Sequence, residues 1–181
     1  MASTKGGAAA GVRTRELERM IYESLPKLKR QRLLALGCSN MQLLFAMKRR
    51  YPLLWITVLS ESQAKLTKAL ALANHNRVVM RFIEGSTNEL PLEDESFNII
   101  VGCMPLVPSN PEKRAKVLSE LYRVLRKSGH VVVTSASMKR EFKFALEGSG
   151  FEQVKVQKAM RLYVYTAVKV ESEQLLSQPG T

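Results

Sequence analysis

The chain has 181 residues, 45% of them hydrophobic and 24% charged, and a formal net charge of +12. That length and composition support one globular domain with a sizeable core and exclude a disordered or fibrous chain. The longest apolar run, 52–59, falls far short of the roughly 20 residues that span a bilayer and has the length of a buried strand.

The charge is uneven. Residues 1–50 hold eleven Lys/Arg against three acids, +8; 51–100 carry −2, 101–150 carry +5, and the rest adds +1. Such an excess favours anionic partners, namely RNA, an acidic protein surface or anionic lipid. The first eleven residues are small and polar without an apolar core, so no secretory signal is expected. A cytoplasmic location is expected; Lys5 and Arg13 with no acid up to Arg15 leave a mitochondrial address open. The two cysteines, Cys38 and Cys103, are far apart and have no metal-ligand spacing. This suits a reducing compartment and points to neither a disulfide framework nor a metal site.

In chain order, residues 1–13 read as a flexible tail. A helix is expected over 14–29, capped by Thr14, with Leu17, Ile21, Leu25 and Leu28 at helical spacing and Pro26 ending or bending it. Then come a strand at 32–36, a helix at 41–50, a strand at 53–59, a helix at 61–73 and a strand at 78–83. The acidic turn from Glu93 to Ser96 precedes a strand at 97–102. A long helix is expected over 111–127, with Val117, Leu118, Leu121, Val124 and Leu125 on one face. Gly129 turns the chain into a strand at 130–134, and a helix follows at 138–148. The segments 151–157 and 161–170 have no helix between them and predict an antiparallel pair. Residues 171–181 read as a loose tail. Alternating helices and near-continuous apolar strands predict a doubly wound α/β domain over 14–170. Its seven-stranded sheet is mostly parallel, covered on both faces and closed by a C-terminal antiparallel hairpin.

Four strings add to this order. They are Leu-Leu-Ala-Leu-Gly-Cys from Leu33 to Cys38, the segment from Phe82 through Glu89-Leu90-Pro91 to Ile100, the stretch from Leu118 through Arg123-Val-Leu-Arg-Lys-Ser to Gly129, and Gly148-Ser-Gly-Phe-Glu152. With the element order they resemble the class I S-adenosylmethionine (SAM)-dependent methyltransferase fold over about residues 32–170, a Rossmann-like architecture. The resemblance implies a first loop of several glycines, so that backbone can approach the cofactor. Here only Gly37 is present, followed by Cys38, Ser39, Asn40 and Met41. It implies an acid holding the ribose hydroxyls at the end of the second strand; that register falls on Val58 or Leu59, with Glu61 the nearest acid. The acid near the adenine corresponds to Ser86, beside Thr87, and the acid of the family's Phe-Asp pair corresponds to Asn98. If SAM binds, the cofactor residues implied are Gly37, Cys38, Ser39, Asn40, Glu61, Ser86 and Thr87. Each lost charge-assisted hydrogen bond costs roughly 1.5–3 kcal/mol, so losing the ribose and adenine contacts weakens binding roughly 10²–10⁴-fold.

No catalytic residue is assigned. The string from Gly102 to Pro108 lacks the amide and aromatic of nucleic-acid amino-methyltransferases, Cys103 reads as a buried strand-end cysteine, and His75 and His130 read as structural. The expectation is a methyltransferase-like module without bound cofactor or metal, serving as a protein-interaction scaffold. The string from Phe97 to Ser109 is similar to the corresponding part of the anamorsin family of cytosolic iron–sulfur assembly factors. Its N-terminal domain keeps this sheet, lacks the SAM motifs and docks to a flavin reductase; its cysteine-rich tail is absent here. The alternatives are an active SAM-dependent methyltransferase with a divergent pocket, and a basic scaffold of an RNA–protein particle. In the last, residues 27–32 and Lys48-Arg49-Arg50 meet phosphate, with Tyr51 stacking.

Overall fold

The computed structural model describes residues 19–21, 23, 30–38, 41–103, 110–135, 140–159 and 162–170. Seven strands form one sheet in the order β3-β2-β1-β4-β5-β7-β6. They are β1 (Arg32–Leu36), β2 (Trp55–Ser60), β3 (Arg81–Glu84), β4 (Phe97–Cys103), β5 (Leu125–Ser135), β6 (Phe151–Ala159) and β7 (Leu162–Lys169). The first five strands pair in parallel, and β7 is antiparallel to both β5 and β6. The helices are α1 (Met41–Arg50), α2 (Gln63–His75), α3 (Pro111–Val124) and α4 (Arg140–Gly148). This is the doubly wound sheet that the sequence predicts.

Alternation along each strand sorts the core into two layers. Leu33, Ala35, Ile56 and Val58 face α1 and α2, with Phe45, Met47 and Ala69 packed on them. Leu34, Leu36, Ile100 and Val133 face α3 and α4, against Val117, Leu121 and Phe142. The helix expected over 14–29 lies outside the described residues apart from four helical ones, of which Met20 and Ile21 pack into the first layer.

Several boundaries move, each for a local reason. β2 starts at Trp55, two residues late, because Lys48 Nζ donates to Pro52 O at 2.8 Å and Leu54 O at 2.6 Å and holds the preceding turn. α2 starts at Gln63 because Ser62 caps it, accepting Lys65 N–H at 3.4 Å. The segment from Val78 closes that helix instead of opening β3, since Val78 N–H donates to Ala73 O at 2.9 Å. α3 ends at Val124, three residues before the expected end. Its last carbonyls are taken from outside. Lys169 Nζ donates to Tyr122 O at 3.0 Å and Leu125 O at 2.8 Å, and Glu95 N–H donates to Arg123 O at 2.9 Å. β5 therefore begins at Leu125, opposite Phe97, and the register slips before His130 pairs with Ile99. Ser128 at φ 59° lies in the slipped stretch.

Candidate functional site

The C-terminal ends of β1, β2 and β3 lie side by side, where an open parallel sheet offers its loops to a ligand. Gly37 turns the chain after β1 with φ 81°, and its N–H donates to Leu59 O at 2.7 Å. That left-handed backbone strains any side chain, so the turn itself requires glycine. Cys38 follows, half-buried. Burial pushes its thiol up, offset in part by a hydrogen bond with Ser60 and by the Lys65 charge. The sulfur stays protonated near neutral pH and is a weak nucleophile. Ser39 and Asn40 lie outside the described residues.

β2 runs one residue further than expected and ends at Ser60. Two bonds define that end: Ser62 N–H donates to Ser60 Oγ at 3.2 Å, and Gly85 N–H to Ser60 O at 3.2 Å. The strand-end position is thus Ser60, which corrects the placement at Val58 or Leu59; both of those are core residues. Glu61 comes next, exposed. Its Oε1 accepts the Ser86 hydroxyl at 2.8 Å and the Thr87 N–H at 3.1 Å. Ser86 Oγ also accepts Asn88 N–H at 3.2 Å, which folds the turn after β3, and Thr87 is buried. Gly85 sits where a Cβ would come within 2.8 Å of the Pro91 ring, so this turn has no room for a side chain.

Cys38, Glu61, Ser86 and Thr87 are therefore brought to one edge. Asn98 is not: it lies at the start of β4, at the opposite edge, where its Oδ1 accepts Arg32 N–H at 2.9 Å. Its amide starts β1, and its departure from the family's acid concerns strand pairing. His75 ends α2 and is exposed. His130 pairs beside Ile99 in the sheet, and burial pushes its imidazole down. The loop after Cys103 lies outside the described residues.

Sequence reasoning missed Ser60 and Glu84. Glu84 ends β3 in register with Ser60 and is exposed. The signal for Ser60 was the Ser62 cap, which fixes where α2 starts and hence where β2 stops. The expected basic face is partly engaged within the protein. Besides the Lys48 bonds, the Arg50 guanidinium lies 5.8 Å over the Tyr51 ring, which packs on the core. Lys27 and Lys29 lie outside the described residues. Among the described residues no group of three His, Cys, Asp or Glu is placed to hold a metal, and no helix is long and apolar enough to cross a membrane.

Comparison with known proteins agrees with this architecture. The family model described as a methyltransferase domain matches residues 33–129. A search of curated proteins found no match. Among solved structures, the [4+2]-cyclase SpnF is similar at TM-score 0.74 and 15% identity, covering 87% of this chain and 80% of its own. A SAM-dependent methyltransferase from Aquifex aeolicus is similar at TM-score 0.72 and 15% identity, covering 84% and 89%. The YcgJ protein from Bacillus subtilis is similar at TM-score 0.69 and 14% identity, covering 87% and 99%. At such identities the likeness shows the fold. That a cyclase and a methyltransferase share it illustrates how little a fold fixes chemistry.

Proposed function

The chain belongs to the methyltransferase domain family, and we propose that within it this chain is a non-catalytic module that binds protein partners and is not held for SAM. The observation that supports this most is the engagement of Glu61. In the family the resembling fold implies, an acid at the end of the second strand takes both ribose hydroxyls. Here that position is Ser60, buried and already accepting Ser62 N–H. The next acid has one carboxylate oxygen accepting two internal hydrogen bonds. A serine hydroxyl at the strand end and a carboxylate already turned to the neighbouring loop are a poor match for two ribose hydroxyls. Calorimetry with SAM and S-adenosylhomocysteine is expected to give no binding tighter than about millimolar, since two lost charge-assisted bonds weaken a micromolar site by roughly 10²–10⁴-fold. Low-micromolar binding would overturn the reading.

The string from Phe97 to Ser109 supports an anamorsin-type role in iron–sulfur protein assembly through a flavin reductase. Co-elution of the chain with such a reductase on a sizing column is the expected outcome; separate elution removes that partner.

A second reading, an active SAM-dependent methyltransferase, draws support from the convergence of Glu61, Ser86 and Thr87 beside Cys38 at one edge. Glu61→Ala then abolishes SAM binding, and unchanged binding removes Glu61 from the site.

A further inference from the structure

The opposite, N-terminal edge of the sheet carries a groove of about 770 Å³ that has no part in a cofactor site at the other edge. Strand register builds it. Arg32 is the Cα partner of Trp55, and Arg81 that of Thr57, so all four side chains leave the same face of the sheet. Near β4 and β5 that face is covered by α3 and α4. At the groove its other wall is the turn that carries Pro91, Leu92 and Glu93. Lys48, fixed to Pro52 O and Leu54 O, holds the turn that presents Leu53 and Trp55.

Two features of the lining point to a partner. First, Leu53, Trp55 and Val79 are 57%, 72% and 84% exposed. They are half of the six exposed large hydrophobics among the described residues, and all three line this one groove. Contiguous exposed apolar surface of this kind marks an interaction site, and Trp and Arg dominate the energetics of protein interfaces. Second, Arg32 and Arg81 are exposed and make no ion pair among the described residues, while one acid, Glu93, faces them across the groove. The whole chain carries +12.

We propose that this groove docks an acidic segment of a partner protein, whose apolar side chains seat beside Trp55 while its carboxylates meet Arg32 and Arg81. A second copy of this chain would set +12 against +12. Single-stranded RNA would suit the indole and the guanidiniums, but it would set Leu53, Val79 and Pro91 against ribose and phosphate. The proposal names a surface for the protein-binding reading above and rests on that reading, yet it is independent of whether SAM binds at the far edge.

Trp55 is the chain's one tryptophan, so its emission reports on this groove alone. The experiment selects a random dodecapeptide library on the full chain and titrates the recovered peptides by Trp55 fluorescence. The expected peptides are rich in Asp and Glu, carry at least two large apolar residues and shift the emission to the blue. Replacing both exposed arginines (Arg32→Ala with Arg81→Ala) weakens them about tenfold or more, with the thermal melt unchanged. Peptides without acid enrichment, an unshifted emission, or equal affinity for the double variant would each overturn the proposal. So would an oligouridylate dodecamer that quenches Trp55 at lower concentration than any peptide, which would assign the groove to RNA. A chain that binds SAM at micromolar concentration and also selects acidic peptides sinks the non-catalytic reading and leaves the groove standing; one that refuses SAM and selects no acidic peptides does the reverse.

Discussion

At the C-terminal edge of the sheet Glu61 has given a carboxylate oxygen to Ser86 and Thr87, and the buried Ser60 hydroxyl has accepted Ser62 N–H. At the N-terminal edge Trp55 stands 72% exposed between Arg32 and Arg81, which make no ion pair among the described residues. Among the described residues, these polar groups of the first edge have partners within the protein, and the two arginines of the second make no ion pair. The difference separates what the backbone needs from what a ligand needs. Gly37 is demanded by a φ of 81° and Gly85 by the Pro91 ring, so their presence reports the turn and carries no information about a cofactor. Nothing in the backbone demands that Leu53, Trp55 and Val79 face solvent together. An arrangement the fold does not require is the better guide to function.

The largest expected effect comes from breaking what both edges share. Leu118 is fully buried beneath the sheet; Leu118→Ala should lower stability by about 2–5 kcal/mol in urea unfolding and loosen both edges alike.

Next is Arg123, which ties the segment between the edges. Its guanidinium donates to Glu120, to Asp94 Oδ1 at 2.6 Å, and to Leu92 O and Leu90 O at 2.8 and 3.1 Å. Arg123→Ala should cost about 2–3 kcal/mol. It should also speed amide exchange at Leu90 and Glu95, which bounds the groove wall, while Gly37 is unaffected. Equal acceleration at Gly37 would mean the two edges are one cooperative unit.

The pH response follows from the same network. The Arg123 hydrogen bond, helped by Leu90 N–H and opposed by burial, holds the Glu120 carboxyl below its ordinary 4.5. The unfolded chain then binds the proton more readily. This stabilisation is present above the ordinary value and is lost as pH falls through the lowered one. His130 works in the same direction at higher pH. Burial keeps its imidazole below the ordinary 6.5, against a hydrogen bond that the ring donates to the Ser128 backbone, so the unfolded state takes up a proton first and stability falls as pH drops below about 6.5. Thermal melts should decline in two stages on acidification; His130→Gln should flatten the first and Arg123→Ala the second.

The smallest effects discriminate best. Glu61→Ala removes two hydrogen bonds at an exposed site and should cost about 0.5–1.5 kcal/mol. Trp55→Ser, although it deletes a large aromatic, should change stability by no more than about 0.5 kcal/mol, because the ring touches little of the fold. A larger loss for Trp55 than for Glu61 would reverse the comparison.

The order of strands and helices was legible in the sequence because apolar residues recur with the periods of a sheet buried on both faces. Boundaries were legible only where the cause is local. Ser62 announces α2, but the early end of α3 depends on Lys169, which reaches back from β7 to carbonyls at its C-terminus. The shared edge of Glu61, Ser86 and Thr87 could be read because parallel strands bring their C-terminal loops together. That Asn98 Oδ1 accepts the Arg32 N–H could not be read, because string similarity does not say what a side chain bonds. The exposure of Leu53 and Trp55 was illegible: an apolar run reads as buried, and only the assembled sheet leaves that corner uncovered.

The proposal sets an edge not held for SAM against an edge that docks a protein segment. The most direct test is an amide and indole NMR titration of the intact chain with SAM to millimolar concentration, followed by an acidic apolar dodecapeptide. The Gly37 and Thr87 resonances are expected to stay in place with SAM and the Trp55 indole to move with the peptide; saturable shifts of Gly37 and Thr87 at micromolar SAM would contradict the non-catalytic reading.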